Sequence, residues 1–360
     1  MHPRITIKDI AALSGVSPGT VDRVIHGRGN VSKKARELVE QAMRELNYEP
    51  NLIASTLAYN RTLRITALVP DYRNDPYWEQ PKSGIEKASL AVRHYGLQVE
   101  FVYFPMFSPA QFLERADELL DAHPDALLFA PLFREDSERI LGRCAAQKIP
   151  AALINTNLED QEALCYVGQD SFQSGVLAGK LLHFGLRPGD QVAVINLDKQ
   201  IMHARHLLEK ERGLRDYFSR QPGADIGVVR ADFEHFEDPQ ALREFLAGLL
   251  NAHPRLQGLF ISNSRSYRIL DAMAGLEIPR LRLVGFDLLP ANLAYLESNQ
   301  IDFLINQNPV QQGYQAVINM FNHMILKKKV ERVQYLPLDI VVSENYSYYV
   351  AKEKGFQVLV

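Results

Sequence analysis

The segment Pro70–Trp78 follows a short apolar run and ends on two aromatic residues, Tyr77 and Trp78. Trp78 is the only tryptophan in the chain. An aromatic face stacks well on the C–H face of a sugar ring, which makes this pair a candidate sugar platform. The alternative is an aromatic pair that only fills a hydrophobic core. The residue types alone leave both interpretations open.

Polar residues recur where five further apolar runs end. They include Asn155, Asp170, Asn263, Arg265, Asp287 and Gln307. A buried polyol needs donors and acceptors in fixed places, because each unpaired polar group in a closed cleft costs about 1–3 kcal/mol. Any one of these residues could instead cap a helix. Their coincidence at five strand ends favours a cleft that binds a polyhydroxylated ligand.

The common catalytic patterns are absent. Gly15-Val16-Ser17-Pro18-Gly19 has the spacing of a hydrolase nucleophile, but that chemistry needs a strand before the turn, and a helical pattern precedes it. Gly179-Lys180-Leu181 is not a phosphate-binding loop, and Gly27-Arg28-Gly29 lacks the third glycine of a dinucleotide fingerprint. The histidines and cysteines show no zinc-ligand spacing. We therefore predict no catalytic residue, no metal site and no cofactor.

From Arg64 onward, short apolar runs alternate with stretches of helical periodicity. The strand-like runs are Ile65–Val69, Val99–Tyr103, Ala126–Ala130, Ala151–Ile154, Val192–Asn196, Ile226–Val229, Gly258–Ile261, Leu281–Phe286 and Phe303–Ile305. Helical periodicity lies at 83–95, 110–122, 171–184, 204–220 and 310–326. This alternation predicts parallel sheets covered on both faces. Because so many strands exceed one comfortable sheet, we predict two doubly wound α/β lobes.

The first 48 residues instead show three short helical patterns. Thr6, Ser17 and Ser32 stand at their N-cap positions, and Gly15 follows the first pattern. Two short helices joined through a glycine and braced by a third are typical of a helix-turn-helix.

Charge and composition suggest a compartment and a partner. Residues 1–64 carry ten Lys and Arg against six Asp and Glu, whereas the whole chain has a formal net charge of −3. A basic end favours contact with a polyanion, although such a charge run is also common on solvated surfaces. Cys144 and Cys165 are the only cysteines, so no disulfide framework is expected. Since the N-terminus has no signal-peptide core and no apolar run reaches membrane-spanning length, we expect a cytoplasmic protein.

A dense series of motifs near the N-terminus carries a more specific signal. It consists of Thr6-Ile7-Lys8-Asp9-Ile10-Ala11, Gly15-Val16-Ser17, Thr20-Val21, Arg23-Val24-Ile25, Val31-Ser32 and Leu46-Asn47-Tyr48-Glu49-Pro50-Asn51. This series closely resembles the DNA-binding head of the lactose-repressor (LacI/GalR) family, and its spacing holds without a gap to Leu57. The rest of the chain resembles the family's effector domain, which is similar to periplasmic sugar-binding proteins.

The resemblance implies that a helix beginning at Ser17 lies in the major groove, with its N-terminal residues at base edges. The DNA contacts it assigns to the head are Thr6, Ser17, Pro18, Gly19, Thr20, Asp22, Arg23, His26 and Asn30. Asn51, Ala54 and Leu57 belong to an implied hinge helix, with Leu57 wedged between base pairs from the minor groove. An ordinary apolar contact is the alternative role of Leu57.

The head departs from the family pattern at three positions. Pro18 and Gly19 stand where many members carry larger, base-reading side chains, so direct readout there is expected to be poor. Asp22 replaces the usual serine. Its carboxylate would be repelled by phosphate unless it accepts from a cytosine amino group or pairs with Arg28. These departures affect the operator sequence and not DNA binding itself.

The strand-end pattern and the resemblance together give nine expected effector contacts, of which Lys210, Asn263, Asp287 and Gln307 match positions that bind the ligand in the family. They are Tyr77, Trp78, Asn155, Asp170, Lys210, Asn263, Arg265, Asp287 and Gln307. Lys210 falls where an arginine usually grips the ligand, and it offers a point charge instead of a fork. Because Arg265 is a further cation, a sugar acid or sugar phosphate stays open beside a plain sugar.

The implied organisation is a helix-turn-helix head at 1–49, a hinge at 50–61 and an effector domain at 62–360. The first lobe would span 62–169 with 308–335, and the second 170–307 with 336–360. The resemblance implies a homodimer on a near-palindromic DNA operator, because two heads must reach half-sites about 34 Å apart. It implies a repressor controlled by a sugar or sugar-derived effector.

Two other functions share parts of the pattern. A periplasmic-type sugar-binding protein would have the same body, but it would need a signal peptide and no basic head. An NAD-dependent oxidoreductase would share the alternation of strands and helices, but its glycine fingerprint is missing.

Overall fold

A computed structural model describes residues 5–25, 31–46, 48, 62–199, 205–223, 225–276 and 280–354. The chain divides into two compact units, Met1–Arg61 and Thr62–Val360. We call the first unit the head and the second the body.

The described part of the head contains helices α1 Ile7–Ser14, α2 Pro18–Ile25 and α3 Lys33–Glu45. They pack around a small core of Ile10, Val21, Val39 and Ala42, all buried. The predicted helical head is therefore confirmed.

Short polar residues and one glycine set the ends of α1 and α2. The Asp9 carboxylate accepts hydrogen bonds from the backbone N–H and the hydroxyl of Thr6, each 2.7 Å long. Gly15 ends α1 in the left-handed conformation, with φ of 69°, which glycine adopts without a Cβ clash. The Ser17 hydroxyl then accepts the Thr20 N–H at 3.3 Å and begins α2. The chain thus turns sharply between two short helices.

The described part of the body holds two six-stranded sheets. The first sheet has the order β11-β5-β4-β3-β1-β2. Its strands are β1 Leu63–Pro70, β2 Leu97–Phe104, β3 Ala126–Phe129, β4 Ala151–Ile154, β5 Cys165–Gly168 and β11 Val333–Tyr335. The second sheet has the order β12-β10-β9-β8-β6-β7. Its strands are β6 Gln191–Leu197, β7 Gly227–Phe233, β8 Leu256–Ile261, β9 Arg282–Phe286, β10 Phe303–Asn306 and β12 Asp339–Val341.

Pairing is parallel throughout both sheets except where β12 runs antiparallel to β10. All nine predicted runs are strands, and three strands that the sequence pattern did not reveal, β5, β11 and β12, complete the sheets. We call each sheet with its helices a lobe, numbered as the sheets are.

Helices cover both faces of each sheet. They are α4 Glu79–Val92, α5 Pro109–Asp121, α6 Arg134–Gln147, α7 Ser171–His183, α8 Arg205–Ser219, α9 Pro239–Ala252, α10 Ser266–Met273, α11 Pro290–Glu297, α12 Pro309–Met324 and α13 Tyr346–Lys354. Alternate residues of β1 belong to different hydrophobic clusters, with Val69 in one and Leu68 in the other. The second sheet likewise separates two clusters. Each lobe is therefore doubly wound, as predicted.

Helices α7 and α8 of the second lobe touch backbone to backbone because each carries a glycine at the contact. A Cβ on Gly175 would lie 1.9 Å from the backbone oxygen of Lys210. A Cβ on Gly213 would lie 2.0 Å from that of Phe172. This contact fixes the position of Lys210 relative to α7.

We expect Gly175→Ala to lower the free energy of unfolding by about 1–3 kcal/mol, because the added methyl forces the helices apart. Gly142 is the matched control, since it lies exposed within α6 and a Cβ there meets no atom within 4 Å. Gly142→Ala should raise the free energy of unfolding by about 0.5–1 kcal/mol through helix propensity. Urea unfolding followed by circular dichroism measures both changes. Equal stabilisation by the two substitutions would show that the helices have room to adjust.

Candidate functional site

The carboxyl ends of strands from both sheets border one cavity, which is the place where open α/β sheets bind ligands. We call it the interlobe cavity. It is lined by Asp75, Tyr77, Trp78, Met106, Leu132, Asn155, Asp198, His206, Lys210, Asn263, Ser264, Arg265, Asp287 and Gln307. All except His206 and Lys210, which lie on α8, follow a strand end. Eight of the nine residues predicted to bind an effector are in this set.

Asp170 is the ninth residue, and it does not line the interlobe cavity. Its carboxylate caps α7 by accepting the Gln173 N–H at 2.9 Å. It borders a separate polar cavity instead. The sequence placed it at a strand end, but the helix that begins there uses its side chain.

The aromatic pair comes from the first lobe and lies on a 3-10 turn, Pro76–Trp78. The Asp75 carboxylate begins this turn by accepting the Tyr77 N–H at 3.0 Å. Tyr77 and Trp78 meet edge to face with ring centroids 5.1 Å apart, and both pack into the core while lining the cavity. The Trp78 Nε1–H is buried and has no hydrogen-bond acceptor. The pair therefore packs in the core and also lines the cavity, and Trp78 carries an unused hydrogen-bond donor.

A chain of hydrogen bonds leads from the first lobe to the second. Gln169 Nε2 donates to Gln307 Oε1 at 2.6 Å, and Gln307 Nε2 donates to Asp287 Oδ2 at 2.8 Å. Asp287 is fully buried in the left-handed conformation, with φ of 63°, and its other oxygen, Oδ1, has no donor. An unpaired buried carboxylate oxygen is costly, so it marks a place where a ligand hydroxyl would be stabilising.

Asn155 and Asn263 are held by neighbouring groups at the cavity wall. Asn155 Nδ2 donates to the Tyr77 hydroxyl at 2.9 Å. Asn263 Nδ2 donates to the backbone oxygen of Leu197, also at 2.9 Å. Both amides keep polar atoms near the cavity in fixed orientations.

Lys210 enters the cavity from the second lobe and is almost fully buried. Its Nζ donates to the backbone oxygen of Ser262 at 2.8 Å and lies 3.5 Å from the centre of the Phe286 ring. Burial lowers the pKa of Lys210 to about 7, although Asp287 opposes this shift. Burial likewise raises the pKa of Asp287 to about 6, against the effect of Lys210. Lys210 and Asp287 therefore stabilise each other's charged forms in the cavity wall.

The buried lysine makes stability depend on pH. Because the folded pKa of Lys210 lies below its unfolded value, the unfolded chain binds more protons between the two values. The free energy of unfolding of the wild type therefore increases through this group as the pH rises above about 7.

Lys210→Met removes that increase and leaves Asp287 without a cation, which raises the pKa of Asp287 further. We therefore compare the free energy of unfolding of Lys210→Met with that of wild type. The difference, variant minus wild type, should decrease as the pH rises from about 6 to about 9. Urea unfolding at several pH values measures it, and a constant difference would contradict the assignment.

Arg265 joins the two lobes through an ion pair. Its Nη2 lies 2.5 Å from Oδ2 of Asp75, and both side chains are less than a tenth exposed, at 7% and 8%. Its Nη1 donates to the backbone oxygen of Leu197 at 2.9 Å, and the guanidinium lies over the Phe236 ring. Arg265 is thus built into the cavity wall.

Sequence reasoning missed Asp75, Asp198 and His206. Asp75 lies two residues before Tyr77, and Asp198 follows β6, so both stand in loops that follow strand ends. His206 lies one turn before Lys210 on the same helix. Burial, with Lys210 and Arg265 nearby, lowers the pKa of His206 to about 3, so it lines the cavity as a neutral ring.

In the head, α2 presents the side chains assigned to DNA. Ser17, Pro18, Gly19 and Arg23 are exposed. A Cβ on Gly19 would meet no atom within 4 Å, so a larger residue would fit there sterically. The remaining assigned DNA contacts described by the structure are Thr6, Thr20 and Asp22, whereas His26, Asn30, Asn51, Ala54 and Leu57 lie outside the described residues.

The described residues contain no group of three His, Cys, Asp or Glu side chains placed to hold a metal ion. No helix among them has the length and apolar character needed to cross a membrane.

Both the head and the body match families of known proteins. The model of bacterial regulatory proteins of the lacI family matches residues 6–51, and that of the periplasmic binding protein domain matches residues 66–329. The chain belongs to the lacI family. The ribose operon repressor of Halalkalibacterium halodurans is 26% identical to this lacI-family protein over 350 residues, covering 94% of this chain and 96% of that one. The regulator MalR of Streptococcus pneumoniae is 27% identical over 223 residues, 59% of this chain and 63% of MalR.

Solved structures show the same fold. A putative LacI transcriptional regulator from Bacteroides fragilis superposes with a TM-score of 0.74 at 22% identity, over 80% of this chain and 100% of that one. A solute-binding protein from Burkholderia graminis in complex with D-arabinose gives 0.71 at 18% identity, over 81% and 98%. The predicted family, fold and function are confirmed: this lacI-family protein is a ligand-responsive, DNA-binding transcriptional regulator.

Proposed function

We propose that this lacI-family regulator is a homodimeric repressor without enzymatic activity, which works in the cytoplasm. It binds a near-palindromic operator through α2 and the implied hinge, and it responds to a sugar or sugar derivative in the interlobe cavity. Its relatives include a protein named as a ribose operon repressor, which supports a sugar effector.

One observation carries the effector proposal. Trp78 Nε1 in the first lobe and Asp287 Oδ1 in the second are both buried and unpaired, and both residues line the same cavity. A hydroxyl group is both donor and acceptor, so a polyhydroxylated ligand supplies what each group lacks. The aromatic pair adds apolar surface for the C–H face of a sugar ring.

The proposed switch follows from where these groups stand. A ligand that bonds to both lobes binds only when they are close together, so it shifts the population toward the closed arrangement. In a dimer this shift changes the spacing of the two heads and hence their fit to half-sites about 34 Å apart. Coupling of this kind is typically worth about 1–3 kcal/mol, which corresponds to roughly 5–150-fold in operator affinity.

The single tryptophan provides a direct assay for the effector. Trp78 lines the interlobe cavity, so its emission should shift when a ligand enters. We expect one or more sugars or sugar derivatives from a broad panel to shift this emission and raise the melting temperature together. Trp78→Phe is the control that must remove the emission signal. If no compound changes either observable, the cavity is not an effector site.

Asp22 offers a test of how α2 meets DNA. Asp22→Ser removes a negative charge from the phosphate field and should raise affinity for random duplex DNA at low salt. Arg23→Ala should instead weaken operator binding and reduce discrimination against random DNA. Fluorescence anisotropy with both duplexes measures these changes, and Glu40→Ser on α3 is the charge-matched control. Unchanged binding to random DNA in Asp22→Ser would place Asp22 away from the DNA backbone.

A further inference from the structure

The charges around the interlobe cavity limit what kind of effector it accepts. Arg265 is the residue best suited to grip a carboxylate or phosphate, because a guanidinium binds such groups through two parallel bonds. Its Nη2 already holds Asp75 at 2.5 Å, and its Nη1 already donates to the backbone oxygen of Leu197. An anionic ligand would therefore have to displace a buried carboxylate to reach it.

Lys210, the second cation, is also engaged. Its Nζ donates to the backbone oxygen of Ser262 and lies against the face of Phe286. Burial lowers the pKa of Lys210 to about 7, which weakens it as a fixed positive charge for an anionic ligand. His206 adds no positive charge, because its pKa is lowered to about 3.

Carboxylates outnumber these cations at the wall. Asp75, Asp198 and Asp287 line the cavity together with Lys210 and Arg265. An anion placed among them would meet like charges in a desolvated space, where repulsion is strong. Asp287 lines the cavity with one unpaired carboxylate oxygen, which cannot donate a hydrogen bond while ionised.

Given the proposed function, we infer that the effector is an uncharged polyhydroxy compound, and that the Asp75–Arg265 pair excludes sugar acids and sugar phosphates. Hydroxyls satisfy both unpaired groups without adding charge. Asp75 is the specificity-determining residue, because it neutralises the Arg265 guanidinium in the cavity wall.

The test uses matched sets that share a carbon skeleton, such as D-ribose, D-ribonate and D-ribose 5-phosphate, and D-glucose, D-gluconate and D-glucose 6-phosphate. The set is extended to other pentoses, hexoses and alditols. Each compound is titrated against the full-length protein at constant ionic strength while Trp78 emission and melting temperature are followed. Inorganic phosphate at the same concentration controls for general salt effects on melting.

We expect a neutral member to bind at least about tenfold more tightly than its acid or phosphate, because like charges repel strongly in a desolvated space. An acid or phosphate that binds as tightly as its neutral counterpart would overturn the inference and leave the proposed sugar-responsive function standing. If no compound in any set changes emission or melting, the proposed function fails and the inference fails with it.

Asp75→Asn provides a second measurement on the folded protein, verified by circular dichroism. The substitution releases Arg265 and removes one carboxylate, so the preference for neutral over anionic members should fall by about tenfold or more. Asp71→Asn is the matched control, since Asp71 lies in the same loop, pairs with the exposed Arg73 and is not among the cavity-lining residues. An unchanged preference in Asp75→Asn would show that Asp75 does not determine it.

Discussion

Replacing Asp287 with asparagine should weaken effector binding at least about tenfold and abolish the effector's influence on DNA binding. A hydrogen bond to a charged group contributes roughly 1.5–3 kcal/mol, and about 1.4 kcal/mol is a factor of ten. Asparagine keeps the size of the side chain and tolerates the left-handed backbone, so the fold should persist. Operator affinity without effector should remain near that of wild type.

The measurement is effector titration by Trp78 emission, followed by operator binding with and without effector. Trp78 lies in the opposite lobe, and Trp78→Ala should lose the response in the same way. Because this variant lacks the fluorophore, its effector binding is measured by the change in melting temperature. Asp71→Asn is again the control and should respond as wild type does. If Asp287→Asn and Trp78→Ala still respond at wild-type effector concentrations, the interlobe cavity is the wrong site.

Breaking the buried ion pair between the lobes should have the largest effect on stability. We expect Asp75→Ala to lower the free energy of unfolding by about 3–5 kcal/mol, because it leaves the Arg265 guanidinium buried without its partner. The exposed pair Arg115–Glu118 provides the contrast, and Glu118→Ala should cost less than about 1 kcal/mol. Urea unfolding gives both values.

A double variant separates the charge from the packing. Asp75→Leu combined with Arg265→Met removes both charges, so most of the stability lost in Asp75→Ala should return. If the double variant is as unstable as the single one, the loss arises from the 3-10 turn that Asp75 caps and not from an uncompensated charge.

The strands that the sequence revealed are those with a continuous apolar run. Of the three missed strands, β5 does lie in a short apolar run, Ala163–Val167, which is not among the predicted strands. β11 and β12 have no such run, because they have three residues each and several of these are partly exposed. Their pairing depends on a neighbouring strand that lies far away in sequence, as with β11 beside β5. Local periodicity carries no information about such contacts.

The candidate site was predictable to the extent that it stands at strand ends. Seven residues were placed by that rule, because carboxyl ends of parallel strands meet at one edge of a sheet. The eighth, Lys210, lies on α8 and was expected from the family resemblance alone. The partners of those residues were not predictable. Asp75 and Arg265 are 190 positions apart, and only the approach of the two lobes makes them a pair. Asp170 lies outside the interlobe cavity for a local reason, because its side chain caps α7.

In the proposed mechanism, one chain binds duplex DNA, and occupancy of the interlobe cavity controls this binding. The most direct measurement is anisotropy of a labelled operator, selected by the protein from a random duplex pool. The labelled operator is titrated with the protein, both with and without the effector identified through Trp78 emission. We predict a change in operator affinity of at least about fivefold on saturation with effector, and no comparable change for random duplex DNA. An operator affinity that stays the same with the cavity saturated would contradict the account.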